Sequence, residues 1–199
     1  MLHQRTRALG SLVGLCTVGA LLAACGEQQA QTPPAEQQPG PAPIETTGTY
    51  EPYREGATAV TYKPDQVPPG STAKLGVKTG GARTEVTVAL TGLQPNRVYG
   101  AHVHTKPCGP TGDDAGPHFQ QIPDPAKPSV DPKFANPENE VWLDFHTDAQ
   151  GNGTATATGT WQLDRGDAQS FVVHETHTHT EPGKAGTAGG RLACLTAKF

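Results

Sequence analysis

Seven of the eight histidines in this 199-residue chain lie beyond its midpoint: His102, His104, His118, His146, His174, His177 and His179. His102 and His104 flank Val103 in the run Arg97 to Thr105, which is rich in β-forming residues. On an extended strand, residues two apart point to the same face, roughly 6.5–7 Å from one another. Two imidazoles so placed can converge on one metal ion while Val103 turns into the core. The same spacing would equally suit two unrelated histidines on a solvated face, so the pair alone leaves both open. His177 and His179 also alternate, in HETHTHTE. They are either a substitute metal site or polar residues of an exposed loop.

The elements that must carry these residues show period two. Ala73, Leu75 and Val77 alternate with Lys74, Gly76 and Lys78, and Val86, Val88 and Leu90 alternate with Thr87, Ala89 and Thr91. Ala155 and Ala157 sit between threonines in GTATATGTWQL, and SFVVHE is another strand-like run. Turn signals separate them at Pro68–Pro69–Gly70, Gly80–Gly81, Gln94–Pro95–Asn96 and Gln150–Gly151–Asn152–Gly153. No stretch combines helical periodicity with caps. The pattern predicts an all-β sandwich or barrel with one irregular insertion, about Thr105 to Glu140. Long loops of that kind in a compact domain are usually functional.

Four strings occur in order: GAHVH (100–104), AGPHF (115–119), VVHE (172–175) and GTAGGRLAC (186–194). Together they resemble the signatures of the Cu/Zn superoxide dismutases, across about residues 57–199. The resemblance implies a flattened Greek-key β-barrel. It makes His102, His104 and His174 copper ligands and His118 the imidazole that bridges copper and zinc. It pairs Cys108 with Cys194 and sets Arg191 beside the copper as a guide for superoxide, with His118 passing a proton. Four imidazoles without a thiolate also suit a Cu(II) site that tolerates reduction to Cu(I).

The zinc half departs from the family pattern. The bridging histidine should be followed in the same loop by two more histidines and an aspartate. Here Phe119 to Phe145 contains no histidine, with Ala126 and Ala135 at the corresponding offsets. Asp144 stands near the expected aspartate and His146 lies beyond it, but one carboxylate and one imidazole make a poor zinc site. The expectation is one copper and no zinc. The segment from His174 to Arg191 is short and lacks most of the charged residues that in the family form the channel guiding substrate, so Lys184 is the one cation expected there besides Arg191.

The remaining sequence points to export. Met1 to Ala24 has Arg5 and Arg7 followed by a short apolar run interrupted by three glycines, the pattern of a removed signal rather than a permanent span. Leu22–Ala23–Ala24–Cys25 resembles a bacterial lipoprotein box, which implies a lipid anchor on Cys25 at the outer face of a membrane. Residues 25–55 are dominated by Gln, Pro and Gly and are expected to form a disordered tether. The copper-binding domain is expected at 56–199. Without residues 1–24 the chain carries thirteen basic and nineteen acidic residues, which argues against nucleic acid as a partner. Cys108 and Cys194 are left as a pair in an oxidising compartment, where a disulfide is the default. Three functional readings follow. The chain is a superoxide dismutase, a copper-buffering lipoprotein without turnover, or a surface β-domain with decayed chemistry.

Overall fold

Alternating apolar positions along strands that pair in register build one inner face, and that is how this core forms. A computed structural model of the chain describes residues 42–199. The expected signal, Cys25 and the tether as far as residue 41 lie outside those residues. Nine strands run β1 (Ile44–Thr49), β2 (Ala59–Thr61), β3 (Thr72–Gly80), β4 (Arg83–Thr91), β5 (Val98–His104), β6 (Phe145–His146), β7 (Gly153–Gly159), β8 (Ser170–His174) and β9 (Arg191–Thr196). They form two antiparallel sheets, ordered β1-β3-β4-β7 and β2-β9-β8-β5-β6. In the first sheet Ala73, Leu75 and Val77 pair with Leu90, Val88 and Val86. All six are buried and meet Ala101, Val103, Phe171, Val173 and Leu195 of the second sheet. This is the predicted all-β sandwich.

The expected tether is corrected at its C-terminal end. Residues 44–49 form an edge strand paired along β3 from Ile44↔Val77 to Thr49↔Thr72, and the Tyr50 side chain is fully buried. The sequence IETTGT has no apolar alternation, because backbone pairing rather than a buried side-chain face recruits it. Gly48 shows how closely the strand lies: a Cβ there would meet Leu195 Cδ1 at 2.6 Å and Ala59 Cβ at 2.7 Å.

The second sheet differs from the first in being buried on both faces. Ala101 and Val103 of β5 point into the core, while His102 and His104 point to the other face and are equally inaccessible. The long segment from Thr105 to Glu140 covers that face, pinned by the Cys108–Cys194 disulfide, with an S–S distance of 2.04 Å. Along the free edge of β5, Phe119 N–H donates to the Val103 carbonyl at 2.9 Å and Leu143 N–H to the Ala101 carbonyl at 2.7 Å. The insertion and the residues just after it are therefore stitched to the strand that carries the histidine pair.

Candidate metal centre

Three elements bring four imidazoles together. β5 supplies His102 and His104, whose ring centroids are 6.4 Å apart. Its neighbour β8 supplies His174, and an isolated bridge His104↔His118 seats the covering loop against the other edge of β5. One potential ligand atom from each of His102, His104, His118 and His174 lies within 4.8 Å of all the others. No other such group of three or more metal-capable side chains occurs among the described residues.

The outer nitrogens decide which atoms face inward. His104 Nδ1–H donates to the Gly116 carbonyl at 2.9 Å and His118 Nδ1–H donates to Glu140 Oε2 at 2.8 Å. Both therefore present an Nε2 lone pair to the centre. His104 Nε2 and His174 Nε2 are 3.1 Å apart, the separation of two donors about 2 Å from one ion at roughly 100°. His102 Nε2 is engaged by Thr178 at 2.8 Å, while His102 Nδ1 and His174 Nδ1 are both buried without a partner. A buried nitrogen without a protein partner, on a ring grouped with three other imidazoles, is what a metal ion would satisfy. The widest separation exceeds by about half an ångström the roughly 4.2 Å allowed for two nitrogens on one ion. Slight inward movement of the rings closes that gap, so the residues fit a metal.

The electrostatics are those of neutral ligands. Burial, then the neighbouring imidazoles, hold His102 and His104 well below the ordinary histidine value, with Arg191 adding to both. Burial first, then His118 and Arg191, push His174 down to about 3. Imidazoles must be deprotonated to ligate, and this environment keeps these three so.

Arg191 is placed by an irregularity in β9. The pairing runs Val172↔Cys194 and Val173↔Ala193, then slips so that His174 faces Arg191. The bulge sends Leu192 into the core and sets the guanidinium beside a candidate ligand, as bulges near active sites do. Arg191 Nη1 donates to the Gly112 carbonyl at 2.8 Å, and burial lowers its pKa. Arg191, Lys127, His118, His174 and Glu140 all line one cavity of about 260 Å³.

Several expectations shift here. Lys184 does not line this cavity; it is exposed, 3.9 Å from Glu181. Lys127 of the insertion is the second cation instead. Asp144 is engaged on both oxygens, accepting from Ala101 N–H, Thr178 N–H and the Thr178 hydroxyl. Ala135 is buried, near Gly186 and Glu140, while Ala126 is exposed. His146, His177 and His179 stay outside the cluster and are exposed, His177 lying 3.2 Å from Asp144 and His179 3.1 Å from Glu181. Sequence reasoning missed Glu140, which is buried and accepts from His118, Trp142 and Gln120 at 2.8 Å each. Its one signal is an acid preceding the apolar run Val141–Trp142–Leu143, in a loop that has lost its histidines.

Residues 71–196 match the family described as copper/zinc superoxide dismutase (SODC). No curated protein sequence matches the chain. Among solved structures, the Cu/Zn superoxide dismutase from Brucella abortus superposes with a TM-score of 0.53 at 19% identity, covering 77% of this chain and 99% of that one. A double mutant of a SOD-like protein from Bacillus subtilis gives a TM-score of 0.51 at 16% identity, covering 64% and 89%. Such identities speak for the fold alone, whereas the family match spans most of the chain. By that match, and by the two sheets and the histidine cluster it encloses, this chain belongs to the copper/zinc superoxide dismutase family.

Proposed function

We propose that the chain is a copper-only superoxide dismutase, with copper held by His102 Nδ1 and by Nε2 of His104, His118 and His174. The observation that carries this reading is the cluster itself: four imidazoles lie within reach of one ion, and two of them, His118 and His174, line a cavity together with Arg191. A bound copper ion supplies the one-electron couple that takes an electron from one superoxide and returns it to a second, giving oxygen and, with two protons, hydrogen peroxide. Arg191, fixed by Gly112, offers positive charge where a small anion would enter, and Lys127 adds to it. His118 can serve in proton delivery: Nε2, when not ligating, can take a proton from water and pass it to the departing peroxide. The Glu140 carboxylate on Nδ1 stabilises the imidazolium formed on the way.

The absence of zinc in this reading is supported by the same carboxylate. Glu140 occupies Nδ1 of His118, the atom through which a bridging imidazole would reach a second metal, and both Asp144 oxygens are engaged within the protein. Cys25 lies outside the described residues. For export and a lipid anchor at the outer face of a bacterial membrane, the support is the sequence pattern of residues 1–25.

The decisive experiment is metal analysis of purified protein combined with a superoxide-consumption assay. The reading expects about one copper, little zinc and copper-dependent dismutation. Copper bound without turnover would make the chain a copper-buffering lipoprotein instead.

A further inference from the structure

Among the cluster imidazoles, His102 alone meets a hydroxyl at its outer nitrogen. Its Nε2 lies 2.8 Å from Thr178 Oγ1, and both residues are buried. A hydroxyl has one hydrogen and two lone pairs. Two groups face this one: His102 Nε2, and Asp144 Oδ1 at 2.7 Å. An ionised carboxylate can only accept. Asp144 does so in every contact named here, from Ala101 N–H at 3.1 Å and Thr178 N–H at 2.7 Å as well.

If the hydroxyl gave its hydrogen to His102, its lone pairs would face a carboxylate oxygen at 2.7 Å with no proton between them. The hydrogen therefore goes to Asp144, and the Thr178 oxygen accepts from His102 Nε2–H. A neutral imidazole carries one N–H, so Nδ1 is left with a lone pair. That nitrogen is one of two in the centre that are buried without a partner, the other being His174 Nδ1.

We propose that Thr178 is a positioning residue that relays the Asp144 carboxylate to His102, fixing the proton on Nε2 and presenting Nδ1 to the metal. Its hydroxyl and its own backbone N–H grip the two oxygens of one carboxylate, so side chain and loop are located together. Gly100 makes room for this grip. A Cβ there would collide with the Thr176 carbonyl oxygen and stand 2.7 Å from Ala188 Cβ and 3.4 Å from Thr178 Oγ1. The metal half of the proposal rests on the copper reading above. The tautomer half concerns the metal-free chain and stands apart from it.

The test is nitrogen NMR of histidine-labelled, metal-free protein, followed by copper affinity from chelator competition. Wild type should show His102 as the Nε2–H tautomer. Thr178→Val, similar in volume but without a hydroxyl, should lose that preference and bind copper 10–100-fold more weakly, the usual cost of losing an outer partner. Thr178→Ser should restore both. A wild-type spectrum with the proton on Nδ1 overturns the proposal without any variant. So does a Val variant that keeps the tautomer and the affinity, or a Ser variant as impaired as Val, which would make the methyl group the important part. A wild-type chain that binds no copper would instead sink the copper reading and leave the tautomer result standing.

Discussion

Acidifying the metal-free protein should cost it much of its stability, and the size of the loss follows from three buried rings. His174 is pushed down to about 3 by burial, His118 and Arg191, and burial with neighbouring imidazoles holds His102 and His104 well below 6.5. In the unfolded chain each returns to about 6.5. Below that pH the unfolded state binds more protons than the folded state, so folding stability falls as pH drops. For His174 the loss continues to about pH 3. At one pKa unit per 1.36 kcal/mol, a ring that stays neutral when folded forfeits about 2 kcal/mol between neutral pH and pH 5. Three such rings forfeit about 6 kcal/mol, comparable with the whole stability of an ordinary domain, about 5–15 kcal/mol. For a domain of this size each kcal/mol is about 2–4 °C, so the melting temperature should fall by about 12–24 °C between pH 7.5 and pH 5. Calorimetry or circular dichroism of chelator-treated protein measures it. Replacing His174 by Asn should lessen the pH-dependent drop by about a third. A melting temperature that stays level from pH 7.5 to pH 5 would refute the claim that these imidazoles are held neutral by burial.

Arg191→Ala should leave copper binding intact and lower the superoxide rate by roughly tenfold or more, with a weaker salt dependence than wild type by stopped-flow assay. Lys127→Ala should act in the same direction but less, being the more exposed of the two cavity cations. Glu140→Leu leaves a buried donor on Gln120 and part-buried donors on His118 and Trp142 without this acceptor, costing about 3–6 kcal/mol in a melting experiment and about 10–100-fold in copper affinity. Reducing the disulfide frees a loop of 86 residues, worth about 4–5 kcal/mol on the chain-entropy account; an unchanged melting temperature would count against that account. Cys25→Ser should move the protein from the membrane fraction to the soluble fraction, and membrane retention would end the lipid-anchor reading.

Strands β3, β4, β5, β7 and β8 were legible because side-chain alternation marks a half-buried strand, or a pair of like residues two apart marks a shared face. β1 and β2 were not. IETTGT offers only backbone pairing to an edge, and Ala59–Val60–Thr61 is too short and too uniformly buried to alternate. The four histidines and the two cysteines were legible as family strings. Their partners Glu140, Thr178 and Trp142 were not, because a hydrogen-bond acceptor is recognised by where it lands rather than by its neighbours in sequence. Lys184 shows the converse error: nearness in sequence to Arg191 put it on the substrate path, whereas the fold takes it to the surface and brings Lys127 in from across the insertion.

These partners explain how one metal-sized space stays ordered using only groups of the chain itself. A carbonyl holds His104, a carboxylate holds His118, and a carboxylate acting through a hydroxyl holds His102. Each of these three bonds occupies the outer nitrogen and leaves the inner one bare, so three of the four donors are set before any ion arrives. The cost is three neutral imidazoles packed away from water, which is why acid should threaten the metal-free chain first. Arg191 adds a further cost, since a guanidinium beside a cation site repels the cation it helps enclose. A protein built only to hold copper gains nothing from that arrangement. The charge becomes useful when an anion must reach the centre of an acidic chain, and Arg191 with Lys127 on the cavity wall supplies it where approach must end.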